Sequence, residues 1–249
     1  MAIQEDLTIA AQMPGHKDLQ PGIHESTDQV IGLAPDIGLI AVSTDPLKAQ
    51  SSPARLAMDI LIDDMQTNIP QLKSKMGDTG MASPGTDCLQ ESLENINDYL
   101  YDLTASRFDT TQSTIANITA LQYLNGYLSF TIGSGMNCFL FKNNKLKSIS
   151  DSVSRPLGGK PNYNSKVQNK AMSSGDILFI AAIDDITMLG EDFIRLTLSR
   201  FPDNIDMVIR QLNTKISRTD TREMPSIIIC RINQEYNLKK SWIGKLRSR

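Results

Sequence analysis

Between Ser113 and Ser150 the chain reads STIANITALQYLNGYLSFTIGSGMNCFLFKNNKLKSIS. Four short apolar runs are divided by Asn125-Gly126, by Gly133-Ser134-Gly135 and by Asn143-Asn144. Asn-Gly between apolar runs is the strongest short-range hairpin signal, because a two-residue hairpin turn needs positive φ at both central residues. Asn143-Asn144 supplies the same conformation. The segment is therefore expected to fold as an antiparallel meander, and a chain with such a block must bury sheet against something.

The flanking sequence says what that is. SSPARLAMDILIDDMQTNI, from Ser51, carries a serine cap candidate, Pro53 in the first turn and Leu56, Ile60, Leu61 and Met65 on one helical face. CLQESLENINDYLYDLTAS spaces Leu89, Leu93, Ile96, Leu100 and Leu103 by threes and fours with acids opposite. The Gly/Ser/Thr-rich stretch 73–86 between them reads as a flexible loop. Gly38–Val42 reads as a buried strand, and the first 30 residues as an irregular lead-in with one edge strand at most. After Ser174-Gly175-Asp176, a turn, ILFIAAI is a strand buried on both faces, closed by Asp184-Asp185. Helices are expected over 191–200 and 203–216, and a last core strand in SIIICRI, with Cys230 inside it. Runs of strands and runs of helices, without strict alternation, argue for α+β with antiparallel sheets. Residues 1–235 are expected to form one domain and 236–249 a basic tail.

Charge and composition exclude much. Five of the 25 basic residues and none of the 28 acidic ones lie in KKSWIGKLRSR (239–249), which leaves the rest formally −8. Such a body does not suit nucleic acid, which needs clustered cations. Leu238, Trp242 and Leu246 would share one helical stripe and offer a membrane or acidic-partner contact; the plainer reading, a terminal helix packing Trp242 on its own domain, carries more weight. The three cysteines (Cys88, Cys138, Cys230) have no Cys-x-x-Cys spacing, which argues against a disulfide framework or a cysteine zinc site and fits a reducing cytoplasm. His16 and His24 are the only histidines and have no partner at metal-ligand spacing. There is no Gly-x-Ser-x-Gly elbow, no phosphate-binding Gly-x-x-x-x-Gly-Lys-Ser/Thr loop and no dinucleotide fingerprint. No run is apolar enough to cross a membrane as a helix, and the start lacks the basic-then-apolar pattern of a secretory signal.

Six segments, in order, resemble the metal-dependent type 2C protein phosphatase (PPM) family. LENINDYLYDL is similar to its second core helix. QSTIANITALQYLNGYLSFTIGSG is similar to the hairpin that runs into its Val-Gly-Asp-Ser strand. FLFKNNKLKSIS resembles the following strand pair, and SRPLGG its Leu-Gly turn. GDILFIAAIDDITMLGEDFI resembles Gly-Asp-x-Leu-Leu-Leu-x-Ser-Asp-Gly-Leu with its helix, and EMPSIIICRI the terminal Asp-Asn-x-Thr-Val-Val-Val strand. Over 20–65, HESTDQV, LIAVST and ARLAMDILIDD stand where the family has Asn-Glu-Asp, Asp-Gly-x-Gly-Gly and its first helix. The PLGG turn also resembles the stage II sporulation E-like branch, so the branch stays open.

The resemblance implies a sandwich of two antiparallel β-sheets flanked by helices on both sides. It also implies hydrolysis of phosphoserine or phosphothreonine by a water that two Mn²⁺ or Mg²⁺ ions acidify. Hard divalent ions need oxygen ligands, so carboxylates decide whether such a site exists. The family's Ser-Asp-Gly corresponds to Ile183-Asp184-Asp185, which keeps Asp184 but replaces the glycine with a charge. Asp-Gly-x-Gly-Gly corresponds to Ser43-Thr44-Asp45-Pro46-Leu47, with Asp45 one position out of register. Asn-Glu-Asp corresponds to Ser26-Thr27-Asp28, and the phosphate-gripping arginine to Ile23 or His24. The expected metal ligands are thus Asp184, Asp45 and Asp28, at a partial site for Mn²⁺ or Mg²⁺, with no catalytic residue assigned. The expected function is that of a pseudophosphatase, a non-catalytic signalling protein that binds a protein partner or phosphoprotein. The alternative is a divergent Mn/Mg-dependent serine/threonine phosphatase.

Overall fold

A computed structural model describes residues 2–3, 6–27, 29–45, 52–79, 84–106, 114–149, 153–161, 163, 166–219 and 225–233. The strands are β1 (Ala2–Ile3), β2 (Leu7–Gln12), β3 (Gly22–Glu25), β4 (Gln29–Ala34), β5 (Leu39–Thr44), β6 (Asn117–Leu124), β7 (Tyr127–Gly133), β8 (Met136–Lys142), β9 (Lys145–Ser148), β10 (Val153–Ser154), β11 (Gln168–Ala171), β12 (Ile177–Ala182) and β13 (Ile227–Ile232). The helices are α1 (Pro53–Thr79), α2 (Pro84–Ala105), α3 (Ile183–Leu189), α4 (Glu191–Arg200) and α5 (Ile205–Thr219). One sheet has the order β1-β2-β13-β12-β8-β9. The other runs β10-β7-β6-β5-β4-β3, with β11 also paired to β7. All pairs are antiparallel except β10 with β7.

Three apolar layers hold this together. Every second residue of the strands enters the layer between the sheets, among them Ile31, Leu33, Ile40, Val42, Leu121 and Phe130 from one side. Ile9, Cys138, Leu140, Leu178, Ile180, Ile228 and Cys230 meet them from the other. The alternate residues point outward. Val30, Leu39, Ala41, Ile118 and Ala120 pack under α1 and α2 through Leu61, Met65, Leu89, Leu93, Ile96 and Leu100. Phe139, Phe179, Ile227 and Ile229 pack under α3–α5 through Leu189, Leu198, Val208 and Leu212. The expected sandwich with helices on both outer faces is what forms.

The two Asn-containing turns do what their chemistry demands. Asn125 and Gly126 have φ of 52° and 82°, and Asn143 and Asn144 have 51° and 60°, the doubly positive geometry whose twist matches paired strands. The third break behaves differently. Gly133-Ser134-Gly135 does not join neighbours of one meander; it carries the chain from β7 in one sheet to β8 in the other. A Cβ on Gly133 would lie 2.8 Å from the Ile118 carbonyl oxygen, so the close crossover needs a residue without one.

Other expectations are also corrected. The lead-in is not irregular: β2 is an inner strand between β1 and β13. The loop expected over 73–86 is largely helical, because α1 continues to Thr79 and α2 begins at Pro84; helix hydrogen bonding overrides the local Gly and Ser content there. Cys88 sits on α2 and is buried like Cys138 and Cys230. Burial pushes the Cys88 thiol up to about 11 and Cys230 up to about 12, and raises Cys138 too. None is a thiolate nucleophile at neutral pH. Among the described residues no helix is long and apolar enough to cross a membrane. Leu238, Trp242 and Leu246 lie outside the described residues.

The SRPLGG turn is held from below. Asn97, fully buried on α2, accepts the Gly158 N–H through Oδ1 at 2.9 Å and donates Nδ2 to the Lys160 carbonyl at 3.0 Å. Gly158 has φ of 81°. Asn97→Ala strands both backbone groups and should cost about 2 kcal/mol. Urea unfolding should show a lower midpoint at an unchanged slope, and a loss within error of zero would contradict the clamp.

Candidate functional site

The two sheets approach each other at the end where β7 crosses to β8, and the strand ends there form a closed ring. Gln29 at the start of β4 pairs with Thr44 at the end of β5. Thr44 pairs with Asn117 at the start of β6. Next to β6, the Gly133 N–H donates to Thr119 Oγ1 at 2.9 Å, and the chain turns through Ser134 and Gly135. The Gly135 carbonyl then accepts the Ile183 N–H at 3.0 Å, while Ala182 pairs with Met136. Ala181 pairs with Ile227, which brings Ser226 beside Ala182. Gln29 Nε2 donates to Ser226 Oγ and closes the circle across the sheets.

Strand periodicity decides which side chains face into this mouth. Val42 and Ile40 face the inter-sheet layer, so Thr44 does as well. Ile31 brings Gln29 inward, Leu121 brings Asn117 and Ile228 brings Ser226, each by steps of two. Among the described residues, the inward positions at this end are therefore amides and hydroxyls, not carboxylates.

Two of the predicted ligands, Asp45 and Asp184, directly follow residues of the ring in the sequence. Asp45 follows Thr44, and a one-residue shift reverses the face. Its Oδ1 accepts the Ala54 N–H at 2.6 Å, and Ser52 Oγ accepts the Arg55 N–H at 3.1 Å. Together they satisfy two of the unpaired donors that open α1. Burial raises the Asp45 pKa, the bonds from Ala54 and Ser52 oppose this, and Glu25 nearby adds to it. Asp184 and Asp185, read in the sequence as closing the preceding strand, belong to the helix that follows it. Both are in the first turn of α3, where negative charge complements the helix dipole. Asp184 is exposed, and Asp185 Oδ2 accepts the Ser226 N–H at 3.3 Å. Asp28 lies outside the described residues. Of the positions standing for the family arginine, Ile23 and His24 are in β3, where His24 Nε2 bonds the Gln20 carbonyl at 2.7 Å. His16 is exposed and its backbone bridges Met13.

Among the described residues, no three His, Cys, Asp or Glu side chains are grouped to hold a metal ion. A divalent ion prefers charged oxygen ligands. The described donor set of the ring, neutral amides and hydroxyls, does not fit a pair of such ions. Gln29, Thr44, Asn117 and Ser226 were not singled out in the sequence. Their signal was there: each is a polar residue at the inward phase, where an apolar alternation ends.

Asp45 has a testable place in α1. Asp45→Ala removes the acceptor for Ala54 and should cost about 1 kcal/mol. Asp45→Asn keeps an acceptor and sheds the buried charge. The folded pKa lies above the unfolded one, so the stabilisation is present below the unfolded pKa and is lost as pH rises through the folded pKa. Urea unfolding should therefore find Asp45→Asn gaining on the native chain between acid and neutral pH. A gap that moves the other way would contradict the placement.

No family model matches this sequence, and no curated protein does. Solved structures do match by shape. PppA, a key regulatory component of T6SS in Pseudomonas aeruginosa, superposes with a TM-score of 0.66 at 12% identity, covering 91% of this chain and 96% of that one. The catalytic domain of the serine/threonine protein phosphatase PstP, in complex with two manganese ions, gives 0.65 at 11% identity, covering 92% and 99%. The S. agalactiae serine/threonine phosphatase gives 0.58 at 12% identity, covering 91% and 100%.

Proposed function

We propose that this chain, which has the fold of the metal-dependent type 2C protein phosphatases, works as a non-catalytic member of that fold group and acts by binding a protein partner. The neutral ring of Gln29, Thr44, Asn117 and Ser226 carries this reading. In the metal-dependent mechanism the bound ions acidify the attacking water and neutralise phosphoryl charge. A chain that offers amides and hydroxyls at that end of the sandwich supplies neither. The arginine at the start of α1 does not replace them: Arg55 is engaged by Asp59 at 3.0 Å and Glu25 at 3.7 Å. The regulatory part that PppA plays in its own system supports a role exerted through other proteins. A cytoplasmic setting accords with three buried cysteines that form no disulfide.

The second reading is a divergent phosphatase whose site draws on Asp184, Asp45 and Asp28 with Mn²⁺ or Mg²⁺. The two manganese ions held by PstP favour it. The readings separate in one assay: p-nitrophenyl phosphate and a phosphothreonine peptide across a Mn²⁺ titration, with Asp184→Asn alongside. The expected outcome is no metal-dependent turnover above the variant. Turnover that needs Mn²⁺ and disappears in Asp184→Asn would establish the enzyme instead. Mn²⁺ should also leave the Tm of the native chain unchanged, because an ion that does not bind the folded state cannot stabilise it.

A further inference from the structure

The end of the sandwich opposite the ring carries a cleft. Gln29, Thr44, Asn117 and Ser226 mark one end of their strands, whereas Leu7, the short turn Pro35–Ile37 and the Asn125-Gly126 turn lie at the other. There Asp6, Leu7, Asp36, Gly38, Tyr123 and Asn125 line a solvent-open space of about 280 Å³. Its wall is fixed by the backbone. The Gly38 N–H donates to the Pro35 carbonyl at 2.9 Å, and the Gly38 carbonyl accepts the Tyr123 N–H at 2.9 Å. Gln122 Nε2 donates to the Ile37 carbonyl at 2.5 Å.

The charge that faces this cleft is negative. Asp6 and Asp36 are both exposed on it. Burial, with Asp6 nearby, pushes the Tyr123 phenol up to about 12, so that group stays neutral. The described cations of this end stand elsewhere. Lys142 is held by Asp176 at 2.9 Å and Arg231 by Asp203 at 2.5 Å. Lys145 and Lys170 lie on β9 and β11, edge strands away from β2 and β5.

The chain passes this cleft as it leaves its last strand. Asn233, just after β13, donates its N–H to the Asp6 carbonyl at 2.9 Å, and its own carbonyl accepts the Ser174 hydroxyl at 2.8 Å. Residues 234–249 follow, with Glu235 as their acid and Lys239, Lys240, Lys245, Arg247 and Arg249 as their cations. Lys239 is six residues beyond Asn233, a reach of about 20 Å for extended chain. Exposed charge pairs are weak singly. A short tether raises the effective concentration of one partner into the millimolar range, where several weak pairs together become populated.

We propose that this cleft holds the chain's own basic tail, residues 239–249, with its ammonium and guanidinium groups on Asp6 and Asp36. The cleft is too small for a folded element and suits the heads of long basic side chains. The inference is independent of the non-catalytic reading, which concerns the other end of the sandwich. It places the tail on its own domain, where its cations are withdrawn from an anionic membrane or an acidic partner.

The test is paramagnetic broadening in the full chain carrying Ser248→Cys with a nitroxide on that thiol. The native cysteines are buried, and the native chain treated with the same reagent is the blank. At low salt the amides of Gly38 and Asn125 should broaden more than those of Asn143 and Lys145, which lie at the same end but away from the cleft. Asp6→Asn combined with Asp36→Asn, shown by its spectrum to be folded, should reduce that broadening about threefold, the scale of lost exposed charge pairs. High salt should act in the same direction. Four results would overturn the proposal. They are no broadening at Gly38 and Asn125, equal broadening at all four amides, broadening indifferent to the double variant, or broadening passed between molecules when nitroxide-bearing chain is mixed with isotope-labelled native chain, which would assign the tail to a second copy. Each leaves the non-catalytic reading standing, whereas Mn²⁺-dependent turnover would remove that reading and leave the tail where it is.

Discussion

The apolar layer between the two sheets is built from every second residue of the strands, and the rest of the molecule is arranged around it. With each strand buried on its inner face, the alternate residues are committed to the outer faces. Val30, Ala41 and Ala120 on one side, and Phe179 and Ile229 on the other, then demand helices to cover them. The same periodicity leaves no choice at the strand ends. Where the apolar alternation stops, the next inward position is whatever residue the sequence places two steps on, and here those residues are Gln29, Thr44, Asn117 and Ser226.

That constraint explains why the described acids nearest the mouth, Asp45 and Asp185, are not directed into it. Asp45 is adjacent to an inward position and is therefore turned toward α1, where it has work as an acceptor for the Ala54 N–H. Asp185 accepts the Ser226 N–H and steadies the start of β13 from α3. Gln12, on the outer face of β2, exchanges bonds of 2.7 Å with Asn213 of α5 and donates to the Pro225 carbonyl at 3.1 Å. The start of β13 is thus tied to β2, α3 and the opposite sheet by neutral or single-charge hydrogen bonds. Such bonds hold two sheets in register without a metal and without the desolvation cost of several converging carboxylates.

Much of the architecture was legible before any coordinates. Helix α4 has the bounds expected for it, and Leu89, Leu93, Ile96 and Leu100 of α2 all face the core as their spacing required. Asn-Gly and Asn-Asn marked two hairpins because positive φ is a local property of those residues. The Gly133-Ser134-Gly135 break reads locally as a third turn of one meander, whereas it carries the chain between the sheets. Glycine reports that backbones come close there. It does not report which sheet the next strand joins.

What the sequence determined by itself is whatever depends on near neighbours along the chain: the elements, their buried faces, the tight turns and the apolar supply for three layers. What only the tertiary structure decided is the character of the mouth. Whether Thr44 or Asp45 looks between the sheets depends on the phase of β5 against β4 and β6, and whether Gln29 reaches Ser226 depends on how two sheets from distant parts of the chain face each other. Those relations span up to 197 residues of sequence. No local pattern encodes them, because side-chain direction at a strand end is inherited from the packing of the whole layer behind it.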